Sequence, residues 1–239
     1  MPMKHLLKLV VLSVSLALLS GCVTITPNFS ATQEFWGEKD GKVVGVAIAK
    51  TPIPAAYKQG NQGLLDVAIN SAMATDLEAH LVKLEVLRID KLADEVSMYL
   101  RNKGFLVKRI KSPIDASALK AFEKGENAPA NAYFPKLDYR PLKAELGIDK
   151  LVVLSLNQLG TIRSYYGFVP LNAPSGISSV SGQAINLSSN RLEWNHAVTQ
   201  VVPNTEGEWD VPPDYPSLTK AVYTAYDRSR TMLYQQFAQ

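Results

Sequence analysis

The side chains able to do chemistry are few, and they stand far apart. Beyond His5 the histidines are His80 and His196, and the single cysteine is Cys22. With no cysteine pair and no H-E-x-x-H spacing, the common zinc ligand sets are absent from the sequence, and neither a metal nor another cofactor is expected. No nucleophile elbow, Walker loop or dinucleotide fingerprint occurs. Two converging carboxylates can hydrolyse a glycosidic bond. The visible groupings are Asp94 with Glu95, and Glu206, Glu208, Asp210 and Asp214. The first belongs to a charged helix face and the second to a proline-rich loop, where solvated surface is the ordinary reading. His80, near Asp76 and Lys83 on a helix, reads as solvated. His196, beside Trp194 on an apolar strand, reads as a core histidine bonded to backbone. No catalytic residue emerges, and a binding protein rather than an enzyme is expected.

The informative stretch is YYGFVPL at 165–171. Aromatics interleaved with Gly and Pro between two strands have the composition of a contact loop, and tyrosine brings area to an interface at little entropic cost. The competing reading makes these aromatics core residues of a continuing strand. If they are exposed, Tyr165, Tyr166, Phe168 and Leu171, with Trp209 from the acidic loop, form a partner-binding surface, or the apolar cluster dips into lipid headgroups.

Cys22 closes a different pattern. Residues 1–8 carry Lys4 and Lys8 and no acid, and residues 9–19 form an apolar run of signal-peptide length. That run is too short to span a bilayer. Leu19-Ser20-Gly21-Cys22 resembles the lipobox of bacterial lipoproteins. By that resemblance residues 1–21 are a signal peptide, Cys22 is lipidated and becomes the new amino terminus, and multiple acyl chains anchor the chain stably. The absence of a second cysteine agrees, since no intramolecular disulfide can form. Val23, where aspartate would be the inner-membrane retention signal, points to the outer membrane and its periplasmic face.

Residues 22–40 read as a lipidated tether, with Phe35 and Trp36 packing onto a single α/β domain at 41–239. Hydrophobic residues make up 46% of the chain, enough for a real core. Without Lys4 and Lys8 there are 23 bases against 22 acids, a balance that suggests no nucleic-acid partner.

Within the domain, residues 41–50 (GKVVGVAIAK) are apolar on both faces, as a buried strand should be. A loop is expected at 51–63. Leucines and other apolar residues then recur at three and four over 64–102, predicting one long helical stretch with a bend or a break near 86–88, ended by Gly104. Residues 105–110 and 148–156 read as strands, with a helix or loop excursion between them. Residues 180–202 read as a hairpin turning at Ser188-Ser189-Asn190, with Leu192, Trp194, His196 and Val198 on one face. Ser217 is expected to cap a final helix. This order gives an α/β fold: a mixed sheet with flanking helices, a hairpin near the C-terminus and a C-terminal helix.

The runs 43–49 and 151–156 and the hairpin 182–194 resemble the periplasmic α/β domains of the curli secretion lipoprotein, of penicillin-binding-protein activator lipoproteins and of the TolB amino-terminal domain. The turn departs from them, with Asn186, Ser188, Ser189 and Asn190 where those families often show Asp and Gly. The resemblance implies architecture and no functional residue. The expectation is an outer-membrane lipoprotein acting through an envelope protein partner as an accessory or assembly factor. The alternatives are a cell-wall-modifying enzyme and a ring-forming, secretion-associated lipoprotein. The hairpin is too small and too polar for a pore, but a homo-oligomeric ring without a pore stays open.

Overall fold

A computed structural model describes residues 26–84, 89–125, 128–205 and 207–238. The proposed signal peptide, Cys22, Glu206 and the bend at 86–88 lie outside the described residues.

The centre is a seven-stranded mixed sheet in which β1 (Val43–Ile48) lies between β3 (Leu106–Arg109) and β4 (Lys150–Tyr166), parallel to both. On the far side of β4, β6 (Ser175–Asn186) and β7 (Arg191–Pro203) follow antiparallel. β4 is long because it serves two purposes. Its first half, apolar on both sides, runs through the core beside β1, and its second half carries the parallel β2 (Ala55–Asn61) and the two-residue β5 (Val169–Pro170).

Apolar clusters cover both faces of the sheet's first half. One gathers Val44, Leu154, Val180 and Trp194 under two helices, α4 (Ile89–Asn102) and α6 (Pro216–Phe237). In α4, Ile89, Leu92, Ala93, Val96 and Leu100 are buried at the three-and-four spacing of a helical stripe. The opposite cluster joins Leu151, Val153, Ile185 and Leu192 to Tyr139 and to Leu142 of α5 (Leu142–Leu146). α6 lies very close to β6, since a Cβ on Gly176 would sit 2.3 Å from the Ala221 backbone. β2 approaches β4 just as closely at Gly160, which has φ +139° and would place a Cβ 2.0 Å from the Ala55 carbonyl oxygen.

The chain from Thr26 onward runs beside β7, with the Phe29 amide donating to the Asn195 carbonyl and the Thr32 amide to that of Glu193, both at 2.8 Å. The short α1 (Gln33–Gly37) then inserts Phe35 fully into the core among Trp36, Phe105 and Phe237. Beneath it, the buried Lys150 ammonium lies 3.0 Å from Glu193 and 3.2 Å from Glu38, and donates to the Glu34 carbonyl.

Four expectations are corrected. Residues 55–61 are strand, because the exposed length of β4 provides a ladder for a segment with weak strand composition of its own. The helical stretch is three helices: α2 (Leu64–Ala72), α3 (Thr75–Val82) and α4. One straight helix over 64–102 would be roughly 58 Å long, whereas α3 rests on β2 and α4 on β1 and β3. Leu192 and Trp194 face opposite sides, because a bulge lets Ile185 pair with Leu192 while Ala184 pairs with Trp194, leaving Glu193 as the extra residue. The last helix begins at Pro216 with Tyr215 as its N-cap, so Ser217 lies inside it.

Candidate functional site

The aromatic stretch divides between core and surface. β4 continues through Tyr166 and reverses at Gly167 into β5, so alternation turns Tyr165 inward, 8% exposed, and Tyr166 outward, 70% exposed. Phe168, Val169 and Leu171 are exposed as well.

Beside this hairpin sits α2, with its apolar side outward. Leu64 is 94% exposed, and Leu65, Val67, Ile69 and Met73 are open to solvent; its one buried residue is the polar Asn70. One bond joins helix and hairpin, Asn70 Nδ2 donating to the Gly167 carbonyl at 3.2 Å, and a second ties the hairpin to β2, the Gly167 amide donating to the Asn61 carbonyl at 2.9 Å. Together α2 and the hairpin form one apolar surface. The sole charged side chain on α2, Asp66, accepts from the Gly63 amide at 2.8 Å and caps the helix.

Behind that surface lies a cleft of about 470 Å³. Thr161, Arg163 and Tyr165, alternate residues of β4, form its floor with Lys58 of β2, and Asn70, Met73, Phe168 and Trp209 are among the residues that complete its lining. The guanidinium of Arg163 lies 4.8 Å from the Trp209 ring centre and 5.8 Å from that of Tyr165, and its Nε donates to the Asn172 carbonyl at 2.7 Å. Lys58, opposite Arg163 in the ladder, pairs with Glu78 at 2.9 Å. Asp76 and Asp210 stand exposed at the rim. Burial, helped by these two acids, pushes the Tyr215 phenol up from its ordinary pKa, so it is protonated at neutral pH.

Of the five residues expected at a partner surface, Tyr165, Phe168 and Trp209 meet in the cleft. Tyr166 and Leu171 stand on the exposed side. The sequence reading missed Lys58, Arg163, Asn70 and the outward face of α2. The alternation Thr161, Arg163, Tyr165 was the available signal for Arg163; nothing in the composition of α2 reveals which way its apolar side turns.

The carboxylate groupings do not converge into a catalytic pair. Asp94 pairs with Arg109 at 3.1 Å, while Glu95 faces the other way to Arg230 at 2.7 Å. Glu208, Asp210 and Asp214 are exposed. His80 joins α3 to α6, with Nε2 2.8 Å from the Thr219 hydroxyl and its ring beside Tyr215. His196 is half-buried, and burial pushes its pKa down. Among the described residues no group of three or more His, Cys, Asp or Glu is placed to hold a metal ion, and no helix is long and apolar enough to cross a membrane.

No family model matches the chain, and no curated protein does. Solved structures resemble it only distantly. The hypothetical protein CT253 of Chlamydia trachomatis is 13% identical over 82% of this chain and 94% of its own, with a TM-score of 0.34. A PelC dodecamer from Paraburkholderia phytofirmans is 12% identical over 90% of this chain and 96% of its own, at 0.33. The lipoprotein GNA1162 of Neisseria meningitidis is 12% identical over 79% of this chain and 99% of its own, at 0.26. Likenesses this remote assign no function.

Proposed function

We propose that this chain is an outer-membrane lipoprotein, anchored through Cys22 and facing the periplasm, that works by protein contact as an accessory or assembly factor of the envelope. The observation that carries the contact reading is the apolar surface shared by α2 and the β4–β5 hairpin. A short helix that exposes Leu64, Leu65 and Val67 and buries an asparagine is the reverse of a solvated surface helix. Contiguous exposed apolar surface of this kind marks an interaction site. Tyr166, Phe168 and Leu171 supply the aromatic and aliphatic anchors, with Tyr165 and Trp209 behind them in the cleft.

The test is a cross-linking pull-down of the full-length protein from intact envelopes, beside a Tyr166→Ala/Phe168→Ala variant. Both side chains are largely solvent-exposed, so the variant folds. One envelope protein is expected to co-purify with the native chain and to be lost from the variant. Recovery of nothing from either, with both still folded in the outer-membrane fraction, rejects the contact reading and directs attention to wall hydrolysis.

A further inference from the structure

We infer that the cleft behind the apolar surface binds a carboxylate, carried on an otherwise uncharged stretch of extended peptide. The inference rests on the protein-contact reading only for the source of that peptide. Its first support is Arg163. The half-buried arginines Arg109 and Arg230 each pair with a carboxylate, at 2.7 Å from Asp90 and 2.7 Å from Glu95. Arg163 is half-buried too, yet among the described residues no carboxylate lies within ion-pair distance of it. It is also held in place: Trp209 and Tyr165 flank its plane, and the Asn172 carbonyl takes its Nε proton. A guanidinium fixed this way and left without an anion is preorganised for a planar bidentate acceptor.

The second support is Asn70, which is 1% exposed and lines the same cleft. Its Nδ2 is engaged by Gln62 and the Gly167 carbonyl, while its Oδ1 has no hydrogen-bond partner among the described residues. A buried acceptor without a donor is costly, and a ligand N–H removes that cost. One group therefore needs an acceptor and the other a donor, and a peptide bearing a carboxylate supplies both. Met73, Phe168 and Trp209 offer apolar walls to its neighbouring residues. The exposed Asp76 and Asp210 at the rim repel a run of acids, so a single carboxylate enters, with uncharged residues crossing the rim.

The carboxylate can be a side chain or a chain terminus, and three short peptides separate these. Acetyl-Leu-Glu-Leu-amide carries it on the side chain, acetyl-Leu-Leu-Leu acid at the terminus, and acetyl-Leu-Gln-Leu-amide lacks it. Each is titrated into the full chain in lipid nanodiscs while the Arg163 Nε–H resonance is followed, which reports the cleft rather than partition into lipid. At least one acidic peptide should shift that resonance and bind about tenfold or more tightly than the glutamine peptide. The preference should vanish in Arg163→Gln. It should strengthen in Asp76→Asn/Asp210→Asn, which keeps the cleft floor intact and shows that loss in the first variant is not misfolding. Equal binding of all three peptides, or no shift at millimolar concentration, overturns the inference. The pull-down with Tyr166→Ala/Phe168→Ala reads the contact surface independently, so either idea can fail while the other stands.

Discussion

Lys150 and Arg163 sit on the same strand and illustrate opposite treatments of a cation out of water. Lys150, 1% exposed, has its charge met by Glu193 and Glu38 and its remaining donor capacity by the Glu34 carbonyl. Such a pair is costly to break, because the surviving charges stay buried. Lys150→Ala is therefore expected to lose about 3–5 kcal/mol in urea unfolding, while Glu193→Gln/Lys150→Met, which removes both charges and keeps the volume, should lose far less. Arg163 is only half-buried and lacks an acid, so its removal should cost ligand binding more than stability. His196 sets a pH dependence. Its pKa is lowered from 6.5 by burial, so the unfolded chain takes up the proton more readily than the native one. Its contribution is present above pH 6.5 and is lost as pH falls from there through the lowered native value. Unfolding free energies measured on either side of pH 6.5 should fall toward acid by more in the native chain than in His196→Gln.

Among the elements, α1 and α6 close the core from opposite ends of the chain and meet at Phe35 and Phe237, with ring centres 6.0 Å apart. Phe35→Ala should cost about 3–5 kcal/mol, as for any fully buried aromatic, although only five helical residues surround it. α6 and β6 approach so closely that Gly176→Val must push backbone against backbone. A loss of about 3 kcal/mol or more is expected by denaturation, while a Gly125→Ala control, with open space around its Cβ, should stay near neutral. α2 behaves oppositely. Leu64→Ser/Leu65→Ser removes two large apolar groups yet leaves stability nearly unchanged, and should weaken partner capture in the pull-down. An unchanged capture would place the contact elsewhere.

For the whole molecule, the proposed anchor at Cys22 would stand close to the domain. Residues 22–25 span at most about 14 Å from Cys22 to Thr26, which the Asn195 side chain holds against β7. Cys22→Ser should move the protein from the membrane to the soluble fraction, and detection of the native chain without lipid would reject the anchor. Much of the architecture was legible beforehand. The strands at 43–48 and 150–156 and the hairpin turning at 187–190 follow from apolar runs, alternation and turn residues, which are local properties. β2 was not legible, because AAYKQGN becomes strand only where the overhanging half of β4 offers it a ladder. The break between α2 and α3 was missed because their apolar spacing nearly continues, whereas α3 packs on β2 and α2 is tied through Asn70 to the β4–β5 hairpin.

The sequence by itself determined the lipobox pattern around Cys22, the α/β order of the elements, the lack of a familiar catalytic motif and the aromatic character of 165–171. These are matters of residue type and short-range spacing. Only the tertiary structure decided that Tyr165 turns inward while Tyr166 and Phe168 face out, that α2 shows its apolar side to solvent, and that Trp209 lies against Arg163 across a cleft. Each of those depends on groups brought together from distant parts of the chain, where a bulge, a strand register or a helix break sets which way a side chain faces.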